Sequence, residues 1–260
     1  MAEIIIKSEQ EAAEMAARTI VDAIKANPEF VLGVATGSTP IKVYAEIAKL
    51  VKAENVDVSK VKAFALDEYV GISKDHPESY YQVIKVNVTD QIGLRPENVN
   101  TPSPDIKTVA TAGADYEAKI KAAGGVDLQI LGIGRDGHVG FNEPGSSLAS
   151  STRIKTLTQE TLEDNARFFD SIDDVPKHCI TQGIGTILRA KHLLLLAFGE
   201  SKAEAIAGAL EGAVTSSLPG SAVQLHPHVT AIVDPAAGSK LKNLEYYKWV
   251  YENKPSWDAI

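Results

Sequence analysis

The sequence predicts a single α/β domain, built as a doubly wound, mostly parallel sheet with helices on both faces. Short apolar runs alternate with amphipathic helical patterns along the whole chain. The run at residues 192–198 is almost wholly apolar, as expected of a strand covered on both faces. The 260 residues contain no internal repeat, low-complexity tract or linker, so residues 1–260 are predicted to form one domain.

Local patterns predict the individual elements. Ser8 and Glu11 form a capping box ahead of a helix whose apolar residues recur as far as Ile24. Pro40 predicts the first position of a second helix, with Ser38 or Thr39 as its N-cap. A further helix is predicted at residues 201–210, a turn region at 98–105, and strands at 30–35, 61–66, 126–131, 192–198 and 229–233.

Composition narrows the function classes. The formal net charge of -8 disfavours a nucleic-acid or anionic-membrane surface, because both require basic patches. Cys179 is the one cysteine, so no intrachain disulfide can form, and a small buried side chain is expected there. No stretch approaches the roughly 18 apolar residues of a membrane span, and the first residues lack a signal-peptide pattern. These features predict a cytoplasmic protein.

Polar residues follow four predicted strands, after Ala35, Leu66, Leu131 and Phe198. In open α/β sheets, ligands bind outside the carboxyl ends of the strands. The chemistry is therefore expected in these four connections.

The first connection, Thr36, Gly37, Ser38 and Thr39, fits a phosphate-binding turn. Glycine allows close backbone approach, hydroxyls donate hydrogen bonds, and the following helix offers free N–H groups and the positive end of its dipole. A plain turn with a capped helix is the alternative. The spacing matches neither a Walker loop nor a dinucleotide fingerprint.

The second connection begins with Asp67, which is expected to point into the cleft as a proton base. The alternative is a helix-capping Asp67 followed by a solvated Glu68.

The third connection, residues 132–145, contains five glycines together with Asp136, His138 and Glu143. So many glycines indicate a loop shaped around a ligand. A histidine flanked by carboxylates can have its pKa raised and its tautomer fixed, which suits proton transfer on sugar hydroxyls. A metal site is the alternative, but a single histidine with this spacing is a weak ligand pattern, so no metal is predicted. A glycine-rich turn with incidental polar residues is a third possibility.

Two basic residues are candidates to neutralise a phosphate. Lys202 stands at a predicted helix start, where a cation is unfavourable against the helix dipole unless an anion is nearby. Arg167 is a second candidate clamp. Taken alone, Lys202 would sooner be interpreted as a solvated surface residue.

Together these segments resemble the glucosamine-6-phosphate deaminase (isomerase) family over nearly the whole chain. The order and spacing of several runs carry the resemblance: residues 32–40, 66–71, 77–80, 131–145, 152–158, 166–169 and 225–227.

The resemblance implies conversion of glucosamine 6-phosphate and water to fructose 6-phosphate and ammonia, in amino-sugar catabolism and without a cofactor. It implies that Asp67 takes the proton from C2 and returns it to C1, and that His138 opens the pyranose ring. Asp136 and Glu143 are implied to be the relay partners of His138. The implied phosphate-binding residues are Thr36, Gly37, Ser38, Thr39, Arg167 and Lys202.

The resemblance also implies features outside the active site. Ser146, Arg153 and Lys155 match the pattern of an allosteric site for N-acetylglucosamine 6-phosphate, although two basic residues on a strand are often only an exposed face. Residues 158–187 correspond to a mobile lid, and a homo-oligomer, including a hexamer, is expected.

Two rival functions remain at this point. A sugar-phosphate isomerase without deamination, or a phosphogluconolactone hydrolase, would share the phosphate site but would not need Asp67 together with the Asp136, His138 and Glu143 set. A non-enzymatic sugar-phosphate sensor would be expected to lack an acid/base residue and to carry a DNA-binding segment. This chain has all four acid/base residues and no basic helical extension.

Overall fold

The computed structural model describes residues 2–255, and within that range it contains ten strands and eight α-helices. The strands are β1 (Ala2–Ile6), β2 (Val31–Val34), β3 (Lys62–Ala65), β4 (Asp67–Tyr69), β5 (Val99–Asn100), β6 (Leu128–Leu131), β7 (Arg153–Thr156), β8 (His178–Thr181), β9 (His192–Ala197) and β10 (Val229–Val233). The helices are α1 (Glu9–Ala26), α2 (Ser38–Ala53), α3 (Tyr80–Ile84), α4 (Val109–Ala122), α5 (Gln159–Asn165), α6 (Ile184–Ile187), α7 (Ala203–Glu211) and α8 (Leu244–Glu252). The predicted alternation of strands and helices is confirmed.

Seven strands form one parallel sheet in the order β1-β10-β9-β6-β2-β3-β5. From β2 the chain moves outward through β3 to β5, and from β6 it moves the other way through β9 to β10. The topological switch point therefore lies between β2 and β6, which is where open α/β sheets bind ligands. The predicted doubly wound fold class is confirmed.

The core lies on both faces of this sheet. Strands β2, β6, β9 and β10 are buried along their whole length, and the four leucines of β9, residues 193–196, are each at most 1% exposed. Burying one leucine side chain contributes roughly 1.5–3 kcal/mol. Their continuous apolar sequence is explained by helices that cover both faces.

The capping box at the start of α1 is confirmed. The backbone N–H of Ser8 donates to Glu11 Oε2 at 3.0 Å, and the N–H of Glu11 donates to Ser8 Oγ at 3.4 Å. This exchange satisfies two free amides and allows the helix to begin directly after β1.

The predicted start of α2 is wrong. Gly37 is the N-cap, Ser38 is the first helical residue, and no side chain caps the helix; Pro40 is the third residue rather than the first. The cause is the φ of +96° at Gly37, which turns the backbone sharply after β2 and starts the helix early. The hydroxyls of Ser38 and Thr39 are consequently not used as caps.

A second, three-stranded antiparallel sheet was not predicted. Its order is β4-β8-β7. Strand β4 is only three residues long and wholly buried, so it shows no alternation, and it follows β3 after a single residue. The edge strand β1 and the two-residue β5, inside the predicted turn region, were also missed.

No helix within residues 2–255 is both long enough and apolar enough to cross a membrane.

Candidate active site

The four polar connections lie at one edge of the parallel sheet. Strands β9, β6, β2 and β3 are neighbours in that order, and all run in the same direction. The segments that follow them are Gly199 to Lys202, residues 132–145, Thr36 to Thr39, and Asp67. The fold therefore places the candidate phosphate turn and the candidate proton-transfer loop on the two sides of the switch point.

The loop after β6 brings its three acid/base side chains together. Asp136 Oδ1 lies 2.7 Å from His138 Nδ1 and also accepts the backbone N–H of His138 at 3.1 Å. Glu143 Oε2 approaches the same ring nitrogen at 3.4 Å. His138 is half-buried and Glu143 is only 3% exposed, so water screens these charges weakly.

The two carboxylates favour the protonated imidazole. Burial alone would lower the pKa of His138, but hydrogen bonds and negative charge from Asp136 and Glu143 outweigh it and raise that pKa to about 9. Burial also opposes ionisation of Asp136, yet the imidazole holds the pKa of Asp136 well below its usual range. The group can therefore donate a proton near neutral pH and take one back.

Asp67 is the first residue of β4 and faces the same loop. It is 5% exposed, and burial, followed by the charge of Glu68, raises its pKa to about 7; His138 and Thr181 act in the opposite direction. A Cβ on Gly140 would lie 3.3 Å from Asp67 Oδ2 and 3.0 Å from Thr181 Oγ1. Glycine at this position lets the loop approach the carboxylate closely. A carboxyl with a pKa near the working pH suits a proton base.

Glu68 does not fit the alternative of a solvated surface residue. It is 0% exposed and accepts the backbone N–H groups of Tyr69 at 2.9 Å, Tyr80 at 2.9 Å and Tyr81 at 2.8 Å. Glu68 thus holds the start of α3 against β4, directly beside Asp67.

The phosphate turn has the features that bind an anion. Gly37 and Ser38 are exposed, and the first turn of the 16-residue helix α2 has no side-chain cap. Its first amides therefore remain available to an anion, with the positive end of the helix dipole behind them.

The two candidate phosphate cations, Lys202 and Arg167, lie near enough for their charges to interact. Lys202 is half-buried, and burial is the main cause of its lowered pKa; the charges of Asp164, Arg135 and Arg167 also reach it. Arg167 is exposed and lies over the ring of Phe168 at 4.8 Å. The charges of Arg135 and Arg167 thus both act on Lys202, and the sequence pattern assigned no role to Arg135.

Helix α5 supplies contacts that the sequence did not reveal. Thr161 Oγ1 donates to Glu143 Oε1 at 2.6 Å, and Thr158, the N-cap of α5, lies 3.4 Å from the same oxygen. Arg135 pairs with Asp164 at 2.8 Å. Of these features, only the N-cap position of Thr158 could be predicted from the local sequence, because threonine is common at N-caps.

The candidate effector residues lie close to the catalytic loop. Arg153 and Lys155 occupy alternate positions on β7 and so share one face of the strand. Arg153 Nη1 donates to Asn142 Oδ1 at 2.8 Å. Ser146 is buried, and its Oγ meets no hydrogen-bond partner among residues 2–255.

Asp136, His138 and Glu143 also offer one possible metal ligand each, with the three atoms within 4.8 Å of one another. Two ligands about 2.0 Å from a tetrahedral ion would lie roughly 3.3 Å apart. The 2.7 Å separation of Asp136 Oδ1 and His138 Nδ1 is shorter than this and matches a direct contact between a carboxylate and an imidazolium.

Comparison with known proteins identifies the family. Residues 7–232 match the model of the glucosamine-6-phosphate isomerases/6-phosphogluconolactonase family. The chain belongs to this family. A glucosamine-6-phosphate deaminase of Bifidobacterium longum (strain NCC 2705) is 55% identical over 99% of the chain and 98% of its own length. One of Rhodococcus opacus (strain B4) is 49% identical over 99% of the chain and its full length. The family resemblance read from the sequence is confirmed.

Solved structures agree with this assignment. A structure described as a monomeric glucosamine-6-phosphate deaminase superposes with a TM-score of 0.89 at 40% identity, covering 92% of the chain and 100% of the other protein. The 6-phosphogluconolactonase of Trypanosoma cruzi has a TM-score of 0.74 at 21% identity, covering 93% and 97%. At that identity the lactonase shares the fold alone.

Proposed function

We propose that the chain is a glucosamine-6-phosphate deaminase that converts glucosamine 6-phosphate and water to fructose 6-phosphate and ammonia in amino-sugar catabolism. One observation carries the proposal: a buried carboxylate, Asp67, faces a loop in which two carboxylates flank the imidazole of His138. Relatives named for this activity match along the whole chain.

Ring opening comes first. The protonated His138 gives its proton to the ring oxygen as the hydroxyl at C1 becomes a carbonyl, and it takes a proton back in the process. The carboxylates of Asp136 and Glu143 stabilise the imidazolium and keep its proton available near neutral pH.

Isomerisation and deamination follow. Asp67 removes the proton at C2 and returns it to C1, while the aldehyde oxygen at C1 takes up the proton that the amine at C2 gives up. C1 thereby becomes a CH2OH group and C2 an imine. Water adds to this imine, the relay of His138 and its carboxylates protonates the nitrogen, and ammonia leaves as the C2 ketone forms. Thr36 to Thr39, Arg167 and Lys202 hold the phosphate, so binding energy remote from C1 and C2 orients the carbon chain.

The proposal is tested by measuring ammonia and fructose 6-phosphate together. Purified protein is given glucosamine 6-phosphate in the presence of EDTA, with no metal or nucleotide added. Equal amounts of both products support the proposal. No ammonia from folded protein, combined with hydrolysis of 6-phosphogluconolactone, would establish the lactonase function instead.

An effector site at Ser146, Arg153 and Lys155 belongs to the proposal. The backbone N–H of Ser146 donates to the carbonyl of Glu143 at 3.0 Å, and Arg153 donates to Asn142, so a phosphate bound here would act directly on the catalytic loop. Titration with N-acetylglucosamine 6-phosphate should change the rate curve. An unchanged curve would rule the site out.

We further propose a cytoplasmic homo-oligomer with a lid within residues 158–187. One structural relative is described as monomeric, so light scattering coupled to size-exclusion chromatography is the direct test of the oligomer. Hydrogen exchange tests the lid: α5 should exchange faster than β8, because β8 is the central strand of the antiparallel sheet.

A further inference from the structure

The two carboxylate oxygens of Glu143 have different surroundings. Oε1 accepts a hydrogen bond from the hydroxyl of Thr161 at 2.6 Å, and the hydroxyl of Thr158 lies 3.4 Å from the same oxygen. Oε2 accepts no hydrogen bond from the described residues and lies 3.4 Å from Nδ1 of His138. One oxygen is thus held, and the other faces the imidazole.

The hydroxyl of Thr161 is placed to fix the plane of this carboxylate. The terminal torsion of a glutamate has a broad energy profile, so an unrestrained carboxylate turns easily. A short donor on Oε1 removes that freedom and keeps Oε2 directed at the ring. Thr161 and Glu143 are 4% and 3% exposed, so there is little room for bulk water to replace the hydroxyl.

The helix that carries Thr161 is tied to the site on two other sides. Arg135, in the catalytic loop, donates to Asp164 through Nε at 3.3 Å and Nη2 at 2.8 Å. Asn165 donates to the hydroxyl of Tyr69 at 2.9 Å, and Tyr69 is two residues after Asp67 on β4. Helix α5 is therefore held against both β4 and the catalytic loop when it is docked, and this places the hydroxyl beside Glu143.

We infer that Thr161 is a positioning residue for the proton relay, acting through Glu143 to keep Oε2 directed at His138. The inference rests on the proposed function, because it presumes that Glu143 works in the relay. If this is so, the relay of His138, Asp136 and Glu143 is complete only when α5 is docked, because the hydroxyl that holds Glu143 belongs to α5.

Thr161→Val is the decisive variant, because it keeps the shape of the side chain and removes only the hydroxyl. We expect kcat for ammonia release to fall about 10- to 100-fold, the size expected for a charge-assisted hydrogen bond, with KM within about twofold of the wild type. The phosphate turn ends at the start of α2 and is not altered by this substitution, so substrate binding should be retained. Thr161→Ser, which keeps the hydroxyl, should restore most of kcat.

Thr158→Val is the matched control, because it removes the cap of α5 without removing the 2.6 Å contact. It should lower the melting temperature more than Thr161→Val and lower kcat less. If Thr161→Val does not fold, Thr161→Ala replaces it. The inference would be overturned if the folded Val or Ala variant had the kcat of the wild type, or if the Val and Ser variants lost kcat equally. The proposed function would still hold in either case, provided that the wild-type protein releases ammonia. A wild-type protein that releases no ammonia would overturn the function itself.

Discussion

Replacing the proposed base with its amide, Asp67→Asn, should make the protein more stable while abolishing activity. Burial raises the pKa of Asp67 from 3.8 to about 7, so the folded state resists the charge that the unfolded chain accepts readily. Between about pH 4 and pH 7 the unfolded state loses this proton first, and the free energy of unfolding falls as pH rises. A difference of about three pKa units is about 4 kcal/mol at pH 7.5 and above.

Urea denaturation at several pH values measures this difference. The free energy of unfolding of Asp67→Asn should equal that of the wild type near pH 4 and exceed it increasingly up to pH 7. Above pH 7 the gain should level off at a few kcal/mol, reduced by the cost of burying an amide. The control Asp170→Asn, on an exposed side chain, should change stability by less than about 0.5 kcal/mol at every pH. A variant less stable than the wild type at pH 8 would refute the reasoning.

Three further outcomes test the site. The pH profile of kcat/KM should rise through about pH 7, as Asp67 ionises, and fall through about pH 9, as His138 loses its proton; a flat profile from pH 6 to 10 would contradict these roles. Gly140→Ala should lower kcat at least tenfold, because its Cβ would lie 3.0 Å from Thr181 Oγ1. Gly124→Ala, which is also at a positive φ but in open space, should leave kcat unchanged. His138→Gln should slow turnover mainly in ring opening, so an open-chain substrate analogue should recover part of the rate, and no recovery would count against that step.

The arrangement of the large sheet could be predicted because its strands are buried on both faces. Such strands carry continuous apolar sequence, as in residues 193–197, and that pattern depends little on neighbouring elements. Asp67, Asp136 and His138 were located by the same logic, since a parallel sheet brings the carboxyl ends of its strands to one edge.

The antiparallel sheet and the role of α5 could not be predicted in this way. The three residues of β4 are defined by their pairing with β8, more than a hundred residues later, and not by any local pattern. The proposed role of the Thr161 hydroxyl likewise depends on its hydrogen bond to Glu143, which lies in a different segment of the chain. Contacts of this kind depend on tertiary packing, and a single sequence contains no signal for them.

The pairing of β1 with β10 has a consequence for how the protein folds during synthesis. Ala2 pairs with Val229, and within residues 2–255 β10 is the one strand that pairs with β1. This apolar strand therefore leaves the ribosome long before the strand that covers its edge is made, and it must stay unaggregated in the meantime. Such a long-range closure raises the contact order, so joining β1 to the sheet is expected to be a late and slow step. The charged residues that follow β1, Lys7 and Glu9, are expected to oppose aggregation of this strand until it pairs with β10.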